Sequence, residues 1–108
     1  MAIISKTALL RAVKKNLILG HGEDDKLILG YVAAAVDYAE RYQHKAESYY
    51  SSNLMPPSTV QAVVMLASHF YESRDGSTGG FFGDNVSAAR QVDEAVERLL
   101  RQNKDVLV

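Results

Sequence analysis

Apolar residues recur at three- and four-residue steps in four stretches of the chain, and polar or glycine-bearing segments separate them. The most apolar stretch is Pro56–Arg74, PPSTVQAVVMLASHFYESR. Pro57 suits a first helical turn, where its missing N–H would have no partner anyway. Pro56 pushes Met55 out of the α region, so the helix cannot easily begin earlier. Val60, Val63, Val64, Ala67, Phe70 and Tyr71 then share one helical face, widened by Met65 and Leu66. A helix this apolar is expected to be the central one, with the other segments packed on it.

The remaining stretches read in order. Ser5 is an N-cap for a first helix with Ala8, Leu9, Ala12, Val13 and Leu17 on its apolar side. Lys14, Lys15 and Asn16 close that helix, the cations lying where its dipole favours them. Leu17–Leu19 is a short apolar exit, and Gly20-His21-Gly22 is a turn. Glu23, Asp24 and Asp25 crowd the start of a second helix, where carboxylates face the positive end of the dipole. Ile28, Tyr31, Ala35, Tyr38, Tyr42 and Tyr49 fall on a near-heptad stripe. Read as continuous from Asp24 to about Tyr49, this helix is roughly 40 Å long at 1.5 Å per residue. Its far end, Gln43 to Tyr50, would then project beyond the core. The glycine-rich segment 76–84, GSTGGFFGD, reads as a flexible loop that carries two adjacent aromatics. Asn85 or Ser87 caps a last helix with the stripe Val92, Ala95, Val96, Leu99 and Leu100, ending at Asn103 and Lys104. The pattern predicts an all-α, small four-helix domain with one long helix, spanning residues 1–108, with a short tail over 103–108.

Composition narrows the class. A chain of 108 residues, 47% hydrophobic and 23% charged, is long enough for one domain with a core of its own. The apolar run Val63–Ala67 is far short of the roughly 20 residues of a membrane span. The N-terminal MAIISKTALL lacks the basic start and long apolar core of a signal peptide, so the cytoplasm of the producing cell is expected. With no cysteine there are no disulfides, thiolate metal sites or cysteine nucleophiles. Twelve basic residues against thirteen acidic ones give a net charge of −1, which argues against a dedicated nucleic-acid binder.

Candidate chemistry is sparse. His44 with Glu47 and His69 with Glu72 form two His-x-x-Glu pairs, a reversed echo of the Glu-x-x-His motif in di-metal bundles. The further glutamates such a site needs are not obviously placed, and ordinary histidines are the simpler reading. Gly79–Gly83 follows a helix rather than a strand, and no Gly-Lys-Ser/Thr comes after it, so it reads as a connector or partner-binding loop, not a phosphate loop. No Gly-x-Ser-x-Gly elbow is present. The tyrosines at 31 and 38 read as core or subunit-interface residues. No enzyme, metal or cofactor is expected. Glu72 and Arg74, by spacing alone, are a surface ion pair or helix stop worth at most ~1 kcal/mol.

The order of features is more telling than any one of them. An acidic turn, HGEDDKLI, leads into the long helix LILGYVAAAVDYAERY; LMPPS opens VQAVVMLASHFYESR; a glycine loop and VDEAVERLL complete the chain. In this order they resemble the head–tail connector (adaptor, head-completion) family of lambda-like long-tailed phages and prophages, over about residues 5–101. Asp24-Asp25, Pro56-Pro57 and His69-Phe70-Tyr71-Glu72-Ser73-Arg74 carry most of the likeness. The start Lys-Thr-Ala-Leu-Leu, the segment Phe81–Arg90 and the tail depart from it.

The resemblance implies a structural virion protein at the head–tail joint, assembled in the host cytoplasm. It implies a ring of about twelve or thirteen subunits between the portal and the tail or next head-completion protein, closed by a heterologous interface. Genomic DNA would pass through the lumen without sequence-specific binding. On this reading Tyr42, Tyr49, Glu72 and Arg74 are expected at subunit contacts. Phe81, Phe82, Val106, Leu107 and Val108 are expected to meet the portal or the next ring. The alternative class is a small helical DNA-binding or regulatory protein, which would require a basic recognition helix.

Overall fold

The computed structural model describes residues 4–20, 22–73 and 85–104, and only the backbone of 85–89. Five helices follow one another: α1 (Lys6–Leu17), α2 (Asp25–Tyr42), the single turn α3 (Tyr49–Ser52), α4 (Pro57–Ser73) and α5 (Asn85–Arg101). Among the described residues there is no strand, so the domain is all-α. No described helix is long and apolar enough to cross a membrane.

Helix α4 is central. It packs against α1, α2 and α5, and α2 also touches α1 and α5. Among the described residues α1 and α5 do not meet; they flank the α2–α4 pair from opposite sides. The core draws Leu9 and Val13 from α1, Ile28, Val32 and Ala35 from α2, Val63 and Ala67 from α4, and Val96 and Leu100 from α5. All but Val32 are stripe positions that helical periodicity assigns to the inside; α2 turns Ile28, Val32, Ala35 and Ala39 inward, which leaves Tyr31 and Tyr42 of the expected stripe half-buried and Tyr38 exposed. Val60 and Phe70, expected on the buried face of α4, are half-buried at its margin.

The helix ends follow from local chemistry. Ser5 Oγ accepts the Ala8 N–H at 3.1 Å and caps α1. At the other end, Ile18 N–H reaches the Lys15 carbonyl (3.2 Å) and Leu19 N–H the Lys14 carbonyl (2.9 Å), the paired bonds of a Schellman stop. Such a stop needs a left-handed residue, and here it is Ile18 (φ 59°, ψ 47°) rather than glycine. The acids at the start of α2 do tertiary work beyond the dipole. Asp25 pairs with Lys14 of α1 at 2.9 Å, and Asp24 accepts a hydrogen bond from the Tyr71 hydroxyl of α4.

The long helix is shorter than periodicity suggests. It ends at Tyr42, and residues 43–48 turn the chain back instead of projecting. His44 and Ser48 adopt left-handed backbone (φ 60° and 61°), which breaks the α ladder. Gln43 is fully buried and Tyr50 nearly so. The reversal buries Tyr50 and Met55 against the core, and that burial outweighs the helical pattern, which the apolar spacing would otherwise have continued.

Three side-chain amides from three helix ends bond three hydroxyls on α4. Asn16 Nδ2 donates to Ser68 Oγ (2.9 Å), Gln43 Nε2 to Thr59 Oγ1 (2.9 Å), and Asn103 Nδ2 to Ser58 Oγ (2.7 Å). Apolar packing alone tolerates sliding of one helix along another. Directional bonds at the ends of α1, α2 and α5 set the register against the central helix.

Candidate assembly surfaces

The α2–α3 corner is built around two buried polar residues. Gln43 Nε2 also donates to the Leu100 carbonyl (3.0 Å), and its Oε1 accepts the Tyr50 hydroxyl (2.5 Å). One side chain thus ties α2, α3, α4 and α5 together, with every polar atom of the amide in use. The Glu40 carboxylate accepts the backbone N–H of Tyr50 (2.9 Å) and of Ser48 (3.3 Å). It acts as a remote cap for α3, whose own Ser48 makes no side-chain cap bond. Burial raises the Tyr50 phenol above its ordinary value; the Thr59 hydroxyl and the Lys45 charge pull the other way, more weakly. Tyr49 stands edge-on to Tyr50, ring centres 5.1 Å apart, with Lys45 Nζ over its ring at 5.1 Å. An open groove of about 360 Å³ runs beside this corner, lined in part by Ile4, Val36, Tyr50 and Met55.

The α2–α5 edge is aromatic, with Asp93 and Glu97 of α5 beside Tyr38. Tyr38 stacks on Tyr42 (6.2 Å, 15° between planes), and Lys104 Nζ lies 5.2 Å from the Tyr42 ring centre. Tyr31 tilts against Phe70 at 6.0 Å. Tyr38 remains 39% exposed and Leu27, at the start of the same stripe, 41%. Partial burial raises the Tyr38 phenol above its ordinary value, and the charges of Glu97 and Asp93 on α5 push it further.

Of the residues expected at subunit contacts, Tyr42 and Tyr49 are half-buried, each with an aromatic neighbour and a lysine over its ring within the molecule, and Glu72 is exposed at the end of α4. Arg74, Phe81, Phe82, Val106, Leu107 and Val108 lie outside the described residues. The His-x-x-Glu pairs are not assembled into a centre. Among the described residues no three His, Asp or Glu side chains come together as a metal site would require. Sequence reasoning missed Glu40 and Gln43, whose roles depend on a chain reversal that no local signal announces. It also passed over Ile18, 90% exposed, as part of an apolar exit. Its signal was a helix C-terminus with no glycine at the position where one is usual.

The described residues form an all-α domain held by polar pins to one central helix, with aromatic and charged outer edges. The chain belongs to the phage head-tail connector family: the family model described as "Phage gp6-like head-tail connector protein" matches residues 7–104. The matched span covers all five helices save one residue of α1. Comparison with curated proteins and with solved structures gave no match. Family membership makes this protein a structural component of the phage virion, one that connects head and tail proteins.

Proposed function

We propose that the chain forms a closed ring between the portal and the tail or next head-completion protein, extending the channel through which the genome leaves the head. Its membership of the connector family across nearly the whole chain carries this reading. The shape supports it. The subunit is a slab of 41 × 31 × 19 Å whose flanking helices α1 and α5 sit at opposite sides, as head-to-tail closure requires. A net charge of −1 suits a channel that DNA slides through, because dense phosphate contacts would hold it.

In this role the whole chain acts as one connector subunit, assembled in the host cytoplasm and present as about twelve or thirteen copies per ring. Tyr42, Tyr49, Glu72 and Arg74 contribute to subunit contacts, the tyrosines through their free ring edges. Phe81, Phe82 and Val106–Val108 engage the portal or the next ring. Native mass spectrometry of the protein alone and with purified portal tests the ring. A closed oligomer in either sample is expected; a monomer in both overturns it. Deleting residues 105–108 is expected to abolish portal attachment, and undiminished attachment removes the tail from the contact.

A further inference from the structure

Charge is distributed unevenly. Helix α1 carries four of the twelve basic residues, Lys6, Arg11, Lys14 and Lys15, and none of the thirteen acidic ones. The rest of the chain therefore holds eight cations against thirteen carboxylates. Lys14 is committed to Asp25, but Arg11 and Lys15 stand exposed on the outer face of α1, outside any ion pair among the described residues. Just beyond them is Ile18, almost wholly exposed and held in a left-handed conformation that a β-branched side chain disfavours by roughly 1–2 kcal/mol. The opposite edge is complementary. There the exposed ring of Tyr38 sits beside Asp93 and Glu97, and the stripe continues along α2 through Tyr31 to exposed Leu27.

We infer that the outer face of α1 docks on the α2–α5 edge of a second copy, Arg11 and Lys15 against Tyr38, Asp93 and Glu97, and Ile18 against the Tyr31–Leu27 stripe. The spacings agree. Arg11–Lys15 and Asp93–Glu97 are each one helical turn, about 6 Å. Arg11 to Ile18 and Tyr38 to Tyr31 are each seven residues, about 10 Å along a helix axis. An α1 laid antiparallel to α2 of the neighbour therefore meets both sets in one register. An aromatic face flanked by carboxylates suits a guanidinium, which stacks and pairs at once. Among the described residues the two faces belong to elements that do not touch within one molecule, so each copy presents both, and the contact is heterologous. Ile18 thereby gains a buried place that the isolated subunit does not provide.

This inference rests on the ring reading and deepens it by naming the two faces. The test uses the full chain in sedimentation at low salt. Reversing one face (Arg11→Glu with Lys15→Glu) or the other (Asp93→Lys with Glu97→Lys) is expected to weaken self-association at least roughly tenfold, with the helical signal and melting unchanged. Mixing the two reversed proteins restores association, because each supplies the face complementary to the other. Assembly unaffected by either reversal, or no rescue on mixing, overturns the inference. So does a wild type that stays monomeric up to about millimolar concentration, whereas the ring reading is then judged separately by assembly on the portal. A duplex-DNA titration distinguishes the other use of a basic face. If reversing α1 abolishes DNA binding and leaves the subunit mass unchanged, the face serves nucleic acid and the inference fails.

Discussion

Gln43 joins Tyr50, Thr59 and the Leu100 carbonyl in a fully buried network. Replacing it with leucine takes the amide partner from the buried Tyr50 and Thr59 hydroxyls and one of two donors from the Leu100 carbonyl, which keeps the Asn103 N–H. Gln43→Leu is expected to cost about 3 kcal/mol, read as a fall in melting temperature on the order of 10 °C for a domain of this size. Tyr50 adds a pH signature. Its folded-state value is raised by burial, so the folded protein holds the phenolic proton more tightly than the unfolded chain does. That stabilisation is fully present below the ordinary tyrosine value and is lost as pH rises through the raised one. Stability should therefore decline above about pH 10, and Tyr50→Phe should flatten that decline while lowering stability at neutral pH through loss of its bond to Gln43. Chemical denaturation at pH 7 and at alkaline pH separates the two effects. Ile18 makes the opposite kind of prediction. Glycine at this left-handed position relieves strain, so Ile18→Gly should raise monomer stability by up to about 1 kcal/mol while weakening association.

At the scale of elements, α3 is one turn long and too short to hold itself. It exists because the Glu40 carboxylate captures its first N–H groups and the Tyr50 side chain is buried. Glu40→Ala should release the turn without unfolding the bundle. Hydrogen exchange at the Tyr50 amide is expected to quicken by roughly five- to thirty-fold, in line with a cap worth about 1–2 kcal/mol, while amides in the middle of α4 keep their protection. The four main helices were legible in the sequence because each carries a stripe of its own, and Ser5 and Pro57 mark two of their starts; α5 begins at Asn85, so neither Asn85 nor Ser87 precedes it as the expected cap. The end of α2 was not. Its tyrosine stripe continues through Tyr49, and only the polar grip of Gln43 and Glu40 shows where the helix yields to the corner.

For the molecule as a whole, association governed by Arg11, Lys15, Asp93 and Glu97 must respond to ionic strength. Raising salt from about 0.05 M to about 0.5 M shortens the Debye length from over 10 Å to a few ångström. A marked loss of oligomer over that range, measured by light scattering, fits a charge-paired contact. Salt-independent assembly points to an apolar one centred on Ile18 and Leu27 instead. The partner-facing role of this fold follows from its layering. With α2 and α4 filling the middle, α1 and α5 do not meet among the described residues and form two separate edges, α1 basic and α5 carrying Asp93 and Glu97 beside the Tyr38 ring.

The sequence by itself determined the four main helices, the centrality of Pro57–Ser73 and the family, because these depend on local periodicity, start signals and the order of short motifs along the chain. Tertiary structure alone decided where the second helix stops, which amides pin which hydroxyls, and that α1 and α5 stay apart among the described residues. Those outcomes depend on pairs far apart in the chain, Asn16 with Ser68, Gln43 with Leu100, Asn103 with Ser58. Spacing along a helix fixes which side a residue faces, but not which distant partner will be there to receive it.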